Sequence, residues 1–183
     1  MKLVVLDRDG VINHETGGVL MSPKEFEPIE GSLAAIARLN QAGIKVAVAT
    51  NHSGIARDII DLDTVHSIHQ RMTTLLQQAG GHLDMVAFCP HSAANECSCR
   101  KPAPGMLYSI SERLRIEASD AVMVGDSLKD VQAAMAAAFQ PALVKTGFGQ
   151  DTLDTNKGLE HIPAYTDLAE FVNELLASLE EEK

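Results

Sequence analysis

The chain has 183 residues, 45% of them hydrophobic, enough to bury a core without cross-links and too apolar for intrinsic disorder. Its formal net charge of -10 excludes a broad basic face for nucleic acid, so an anionic substrate must be received by local cations or metal. No apolar run is long enough to span a bilayer and no basic-then-apolar leader stands at the start. A soluble, cytoplasmic monomer is expected, with no nucleic-acid or membrane partner.

The first predicted strand, residues 3–6, runs into Asp7-Arg8-Asp9-Gly10. Residues i and i+2 of a strand share a face, so Asp7 and Asp9 point the same way. Two carboxylates on one face repel unless a cation or proton lies between them. This suits a Mg2+ site with one carboxylate as nucleophile and the other as acid and base. A strand closing in an Asp-Gly turn is the plainer alternative. Residues 14–30 are too short for a separate cap domain. Gly31-Ser32 opens a predicted helix at 32–42, which Gly43 closes. The second strand, 44–49, ends in Thr50-Asn51, where a hydroxyl and loop amides can bind phosphate oxygens. Thr also closes many strands without any such role. A helix at 62–79 ends in Gly80-Gly81, and a third strand follows at 83–88.

All three cysteines fall between Cys89 and Cys99, with His91 among them. An odd, clustered set makes no disulfide framework. Cys89, His91, Cys97 and Cys99 together form a Cys3His set, a recurring tetrahedral structural Zn2+ site. Buried free thiols are the alternative, and the lack of Cys-x-x-Cys argues against redox chemistry. The proposed zinc loop, 89–99, would stiffen the segment delivering Arg100 and Lys101. A lysine there can neutralise charge on a transferring phosphoryl group, although an Arg-Lys pair is also a common solvated feature.

Pro104 suits the first turn of a helix at 104–114. The fourth strand, 121–124, leads into Gly125-Asp126-Ser127-Leu128-Lys129-Asp130. Asp126 is placed for Mg2+ ligation and Asp130, one turn on, for supporting it. Either could instead cap the helix expected at 128–138. A strand at 142–144, a short strand near 164–166 and a helix at 167–179 complete the pattern, with Glu180 to Lys183 expected to fray. His66, His69, His82 and His161 read as surface or satisfied core histidines. Strands alternating with helices imply an α/β, doubly wound, Rossmann-like parallel sheet with helices on both faces, capless, as one domain spanning 1–183.

Asp-x-Asp, then Thr, then Lys, then Gly-Asp-x3-Asp, each after a predicted strand in this order, resembles the haloacid dehalogenase superfamily over nearly the whole chain. Asp9 points to its phosphatases, because the dehalogenases lack the second Asp. The resemblance implies that Asp7 attacks phosphorus to form an aspartyl-phosphate and that Asp9 serves as acid and base. It implies Mg2+ on the Asp7 carboxylate, the Asp9 backbone carbonyl and the Asp126 carboxylate, with Thr50 and Lys101 on phosphate oxygens. Cys-x-His…Cys-x-Cys-Arg-Lys-Pro, together with Thr50-Asn51-His52-Ser53-Gly54-Ile55-Ala56-Arg57, is similar to the D,D-heptose 1,7-bisphosphate 7-phosphatases. The activity implied is removal of the 7-phosphate of the heptose bisphosphate, in surface-sugar precursor synthesis such as lipopolysaccharide core or S-layer. Histidinol-phosphate phosphatase of histidine biosynthesis is the near alternative, and a non-catalytic zinc scaffold the remote one. Arg100 would meet the sugar, and Thr50, Asn51, His52 and Ser53 the phosphate side. Four positions depart from that family's pattern: His52 stands for Gln, Asp58 for Gly, Ser127 for Lys, and Gly17-Gly18 where some members carry an aromatic residue.

Overall fold

A computed structural model describes residues 1–181. Its centre is a six-stranded, all-parallel sheet in the order β3-β2-β1-β4-β5-β6. The strands are β1 (Leu3–Leu6), β2 (Lys45–Asn51), β3 (Met85–Cys89), β4 (Ala121–Gly125), β5 (Gln140–Val144) and β6 (Ala164–Tyr165). The helices are α1 (Ser32–Gln41), α2 (Ser53–Ala56), α3 (Leu62–Gln78), α4 (Gly105–Leu114), α5 (Leu128–Ala136), α6 (Gly149–Thr155) and α7 (Leu168–Glu181).

Period-two alternation splits the core cleanly. Val4, Leu6, Val46, Val48, Val122 and Val124 face one way and pack with Ile36 and Leu39 of α1, Met72 and Leu76 of α3, and Phe171 of α7. Leu3, Val5, Ala47, Ala49 and Met123 face the other way and pack with Leu107 and Ile110 of α4 and Ala133 and Ala134 of α5. The central strands are buried on both faces, as parallel strands must be. The larger side chains of the first face fill the space under α1, α3 and α7. The alanines of the second let α5 lie close to the sheet.

Strand order reverses between β1 and β4. In such sheets ligands bind at the carboxyl ends of the strands, beside that switch point. Asp7 follows β1 and Asp126 follows β4, so the topology places both acids there. Among the described residues, only a 3-10 turn at Pro23–Glu25 has helical form between β1 and α1, so the mouth there carries no cap. No helix among the described residues is long and apolar enough to cross a membrane.

Several element bounds differ from expectation for local reasons. The helix expected to reach Ala138 ends at Ala136, because Ala138 takes a left-handed backbone with φ 59°. β5 begins at Gln140, and Pro141 is accommodated because β6 reaches only Leu143 and Val144. α2 and α6 are short and lack an apolar stripe, so periodicity does not announce them. Glu180 and Glu181 close α7 rather than trailing from it, and Glu182 and Lys183 lie outside the described residues.

Leu39 is fully buried between the sheet and its helices. Leu39→Ala should therefore cost about 2–5 kcal/mol of unfolding free energy. Chemical denaturation should show a lower midpoint with an unchanged slope.

Candidate active site

The strand alternation that places Asp7 and Asp9 on one face stops at Leu6. Beyond it the chain turns, and the two carboxylates enter different networks. Asp7 is held by its neighbours on both oxygens. Its Oδ1 accepts the Arg8 backbone N–H at 2.7 Å, and its Oδ2 lies 2.9 Å from Lys101 Nζ. Its own N–H donates to Val124 O at 2.9 Å, stitching the end of β1 to β4.

Lys101 is the buried cation of the site. Its side chain is 2% exposed, and Nζ also lies 2.6 Å from Asp130 Oδ1. Neither Nζ nor Asp130 Oδ1 has a well-directed hydrogen-bond partner. With three N–H groups and two carboxylate neighbours, the ammonium has one donor left for a further acceptor. Asn51 fixes the lysine from below, its amide accepting Lys101 N–H and donating to Lys101 O, both at 3.1 Å. Asn51 thus grips the backbone of the cation, and it also lines the reaction cavity.

Asp126 and Asp130 complete the cluster. Carboxylate oxygens of Asp7, Asp126 and Asp130 lie within 4.8 Å of one another. Asp126 Oδ2 accepts the Phe148 N–H at 2.9 Å, and its backbone carbonyl accepts Thr152 Oγ1 at 3.0 Å. Asp130 Oδ2 accepts both the N–H and the hydroxyl of Ser127, at 3.0 and 2.6 Å, in a capping box that starts α5. The capping alternative and the supporting role are thus filled by the same residue. Glycines make this closeness possible. A Cβ on Gly10, whose φ is +78°, would lie 2.0 Å from Asp126 Oδ2, and one on Gly125 would lie 2.2 Å from Asp130 Cβ.

Burial governs the electrostatics. It pushes Asp7 up to about 7, Asp130 and Asp9 adding to the rise and Lys101 opposing it. Burial and then Asp7 push Asp126 up to about 8, against the Phe148 amide. Burial disfavours charge on Lys101 as well, but Asp130 and Asp7 outweigh it and hold the ammonium well above its ordinary value. Carboxylates so crowded by their own kind suit a hard cation bound through oxygen.

Asp9 belongs to the second network. Both its oxygens accept from the Arg8 guanidinium, at 2.8 to 3.1 Å, and Asn13 Nδ2 donates to Oδ1 at 2.9 Å. Arg8 Nη1 lies 2.9 Å from His52 Nε2. His52 is buried and commits this nitrogen to Arg8 rather than presenting it to the cavity, although the residue lines the cavity wall.

Two cavities meet here. One of about 200 Å³ is lined by Asp7, Asp9, Thr50, Arg100, Lys101 and Asp126. The other, about 350 Å³, runs past Asp9, His52 and Ser53 to Arg57. Glu15, Lys129 and Phe148 line both, and composition or spacing single out none of the three. Arg8 and His69 also escape a reading of motifs. Their signals are an arginine between two acids and a histidine on the apolar stripe of α3, with Val65, Met72 and Leu76. Asp58, the departure from Gly, takes a left-handed φ of 52°, which Asp tolerates better than most residues.

The cysteine loop lies beside the site. Sγ of Cys89 is 3.6 Å from Cys97 and 3.2 Å from Cys99, and His91 Nδ1 is 3.6 Å from Cys89 and 3.3 Å from Cys99. A tetrahedral Zn2+ with ordinary bond lengths requires ligand separations of about 3.4–3.8 Å. Arg100 Nη1 donates to His91 O at 3.1 Å, so the loop is joined directly to an arginine that lines the smaller cavity.

The raised carboxylates have a consequence for stability. Between about pH 4 and about pH 8 the folded, metal-free protein binds more protons at Asp7 and Asp126 than the unfolded chain does. These groups therefore favour the fold at low pH, and that advantage is lost as pH rises through this window. In chelator, Asp126→Asn should gain stability relative to the parent as pH rises from 5 to 8, read as the difference between their melting temperatures.

Comparison with known proteins agrees with this layout. A family model described as HAD-hydrolase-like matches residues 98–171. The D-glycero-β-D-manno-heptose-1,7-bisphosphate 7-phosphatase of Neisseria meningitidis is 46% identical over 173 residues, 93% of this chain and 92% of that protein. The enzyme of that name from Pseudomonas putida is 46% identical over 177 residues, 96% of this chain and 100% of its own length. The crystal structure of D,D-heptose 1,7-bisphosphate phosphatase from B. bronchiseptica, complexed with magnesium and phosphate, superposes with a TM-score of 0.93. It is 44% identical, covering 97% of this chain and 99% of that one. The chain belongs to the heptose-1,7-bisphosphate 7-phosphatase family of haloacid-dehalogenase-like hydrolases and is a phosphoric monoester hydrolase.

Proposed function

We propose that the protein hydrolyses the 7-phosphate of D-glycero-D-manno-heptose 1,7-bisphosphate through an aspartyl-phosphate on Asp7, a step in surface-sugar precursor synthesis. The observation carrying this is the joining of the Asp7–Lys101 pair to a second cavity that adds Arg57 and shares Lys129 with the first. The first chamber suits the reacting phosphoryl group and the second a polar leaving group.

In the first half-reaction an Asp7 oxygen attacks phosphorus while the bond to the C7 oxygen breaks. Asp9 delivers its proton to that departing oxygen. In the second, Asp9 takes a proton from water, whose oxygen attacks phosphorus and releases inorganic phosphate from Asp7. Lys101 neutralises charge on the phosphoryl oxygens, with Thr50 and the amides after β2 beside it. Asp7, Asp126 and the Asp9 backbone carbonyl would hold Mg2+, with Asp130 supporting from behind, and bound Mg2+ supplies Lewis-acid charge neutralisation. Arg100 would contact the sugar end. Zn2+ would be structural, held by Cys89, His91, Cys97 and Cys99.

Two experiments test this. Asp7→Asn should abolish turnover while circular dichroism shows an intact fold, since an amide cannot attack phosphorus. For the parent enzyme, kcat/KM for the heptose bisphosphate should exceed that for histidinol phosphate by at least about tenfold, or about 1.4 kcal/mol. A preference for histidinol phosphate would reassign the substrate and leave the phosphatase chemistry standing.

Zinc should co-purify at about one per chain. Cys97→Ser should lose it, raise KM and lower kcat, because Arg100 and Lys101 continue directly from the loop. Active protein free of zinc, with three reactive thiols, would show that the cysteines are merely packed.

A further inference from the structure

Arg8 is almost wholly buried, its side chain 2% exposed, although it lies between two residues that line the reaction cavity. A guanidinium is a donor at every accessible pH. The ring nitrogens facing it must therefore accept, which places the proton of His52 on Nδ1, and that of His69 too. The contacts are 2.9 Å from Nη1 to His52 Nε2 and 3.5 Å to His69 Nε2. Both imidazoles are kept neutral, His52 at about 3 and His69 at about 4, by burial first and Arg8 second. The rings meet edge-on at 5.2 Å, and each also packs on Phe88. His52 is tethered further by its N–H, which donates to Cys89 O at 2.7 Å. His69 is carried by α3 and lines neither cavity of the active site.

The other edge of the guanidinium shapes Asp9 atom by atom. Oδ1 receives Arg8 Nε, Arg8 Nη2 and Asn13 Nδ2, so its acceptor capacity is filled. Oδ2 receives only Arg8 Nη2, at 2.8 Å. One oxygen is thus spent on orientation and the other retains a lone pair for a proton.

We infer that His52 and His69 are positioning residues for Asp9: acting through Arg8, they fix the guanidinium so that Oδ2 of Asp9 is the oxygen that exchanges a proton with the leaving group. The inference rests on Asp9 being the acid and base. Its physical basis is orientation, since small misplacements of a reacting group cost about 100-fold.

Leaving-group chemistry separates this from a merely structural role. The value of kcat/KM reports steps up to release of the first product. A sugar alkoxide needs a proton to leave, whereas nitrophenolate leaves without one. His52→Leu should lower kcat/KM for the heptose bisphosphate by about 100-fold, while the value for p-nitrophenyl phosphate falls no more than about fivefold. Retained nitrophenyl activity also reports that the variant is folded. His52→Gln, which restores an acceptor, should recover most of the loss. His69→Leu should show the same split more weakly, and it decides the matter if His52→Leu does not fold. Equal losses on both substrates in whichever leucine variant folds, or no rescue by Gln, would overturn the inference. Asp9→Asn is the control: if it splits the substrates and the histidine variants do not, the positioning role alone falls. If Asp9→Asn itself shows no split, the acid role of Asp9 falls and the inference with it.

Discussion

The buried ammonium of Lys101 is the interaction on which the site depends. Three carboxylates crowd the ends of β1 and β4, and this cation is placed among them, 2.9 Å from Asp7 and 2.6 Å from Asp130. Removing one partner from a buried pair leaves an uncompensated charge, which is worth several kcal/mol in its own right. The lysine is accordingly over-determined. Asn51 holds its backbone, the cysteine loop fixes the approach of its chain, and α5 presents Asp130 from the far side. Each comes from a different element, so the position of one nitrogen records the packing of half the sheet.

The second consequence is a division of labour between two charge networks. One contains Asp7, Lys101, Asp126 and Asp130, three carboxylates gathered around a buried ammonium. The other contains Asp9, Arg8 and two neutral histidines, gathered around a buried guanidinium. Asp7 and Asp9 are separated by a single residue in sequence, yet β1 ends before both and the chain turns. Their hydrogen-bond partners differ, although the charge of Asp9 still adds to the rise of Asp7 through space.

Much of this was legible in the sequence, for identifiable reasons. The strands and long helices announce themselves by periodicity, and the acids by their place after apolar runs. Asp7, Lys101, Asp126 and Asp130 do converge as the strand ends suggested, and the cysteines and His91 do form one cluster. What escaped was set by tertiary contact. Nothing local reveals that Asn51 grips a lysine fifty positions away. Arg8 reads as a spacer until its guanidinium is seen folding back on Asp9. His69 reads as a satisfied core histidine, and so it is, but what satisfies it is the buried arginine. The shared-face argument for Asp7 and Asp9 brought them to the right place by a periodicity that the chain abandons at Leu6.

The cysteine loop is tied both to the core, where Cys89 is fully buried, and to the site. Cys89 ends β3, and its carbonyl receives the N–H of His52, while the loop's other end continues into Arg100 and Lys101. The loop therefore touches both charge networks, one through His52 and one through Lys101. Between Cys89 and Lys101 the chain has only a single 3-10 turn, Ala93–Asn95, so ordering it costs about 1–2 kcal/mol of backbone entropy per residue. A structural metal on the proposed Cys3His set would offset that cost locally, without enlarging the apolar core. Such a metal would let the loop hold Arg100 and Lys101 to the tolerance that the sheet alone provides only at its strand ends.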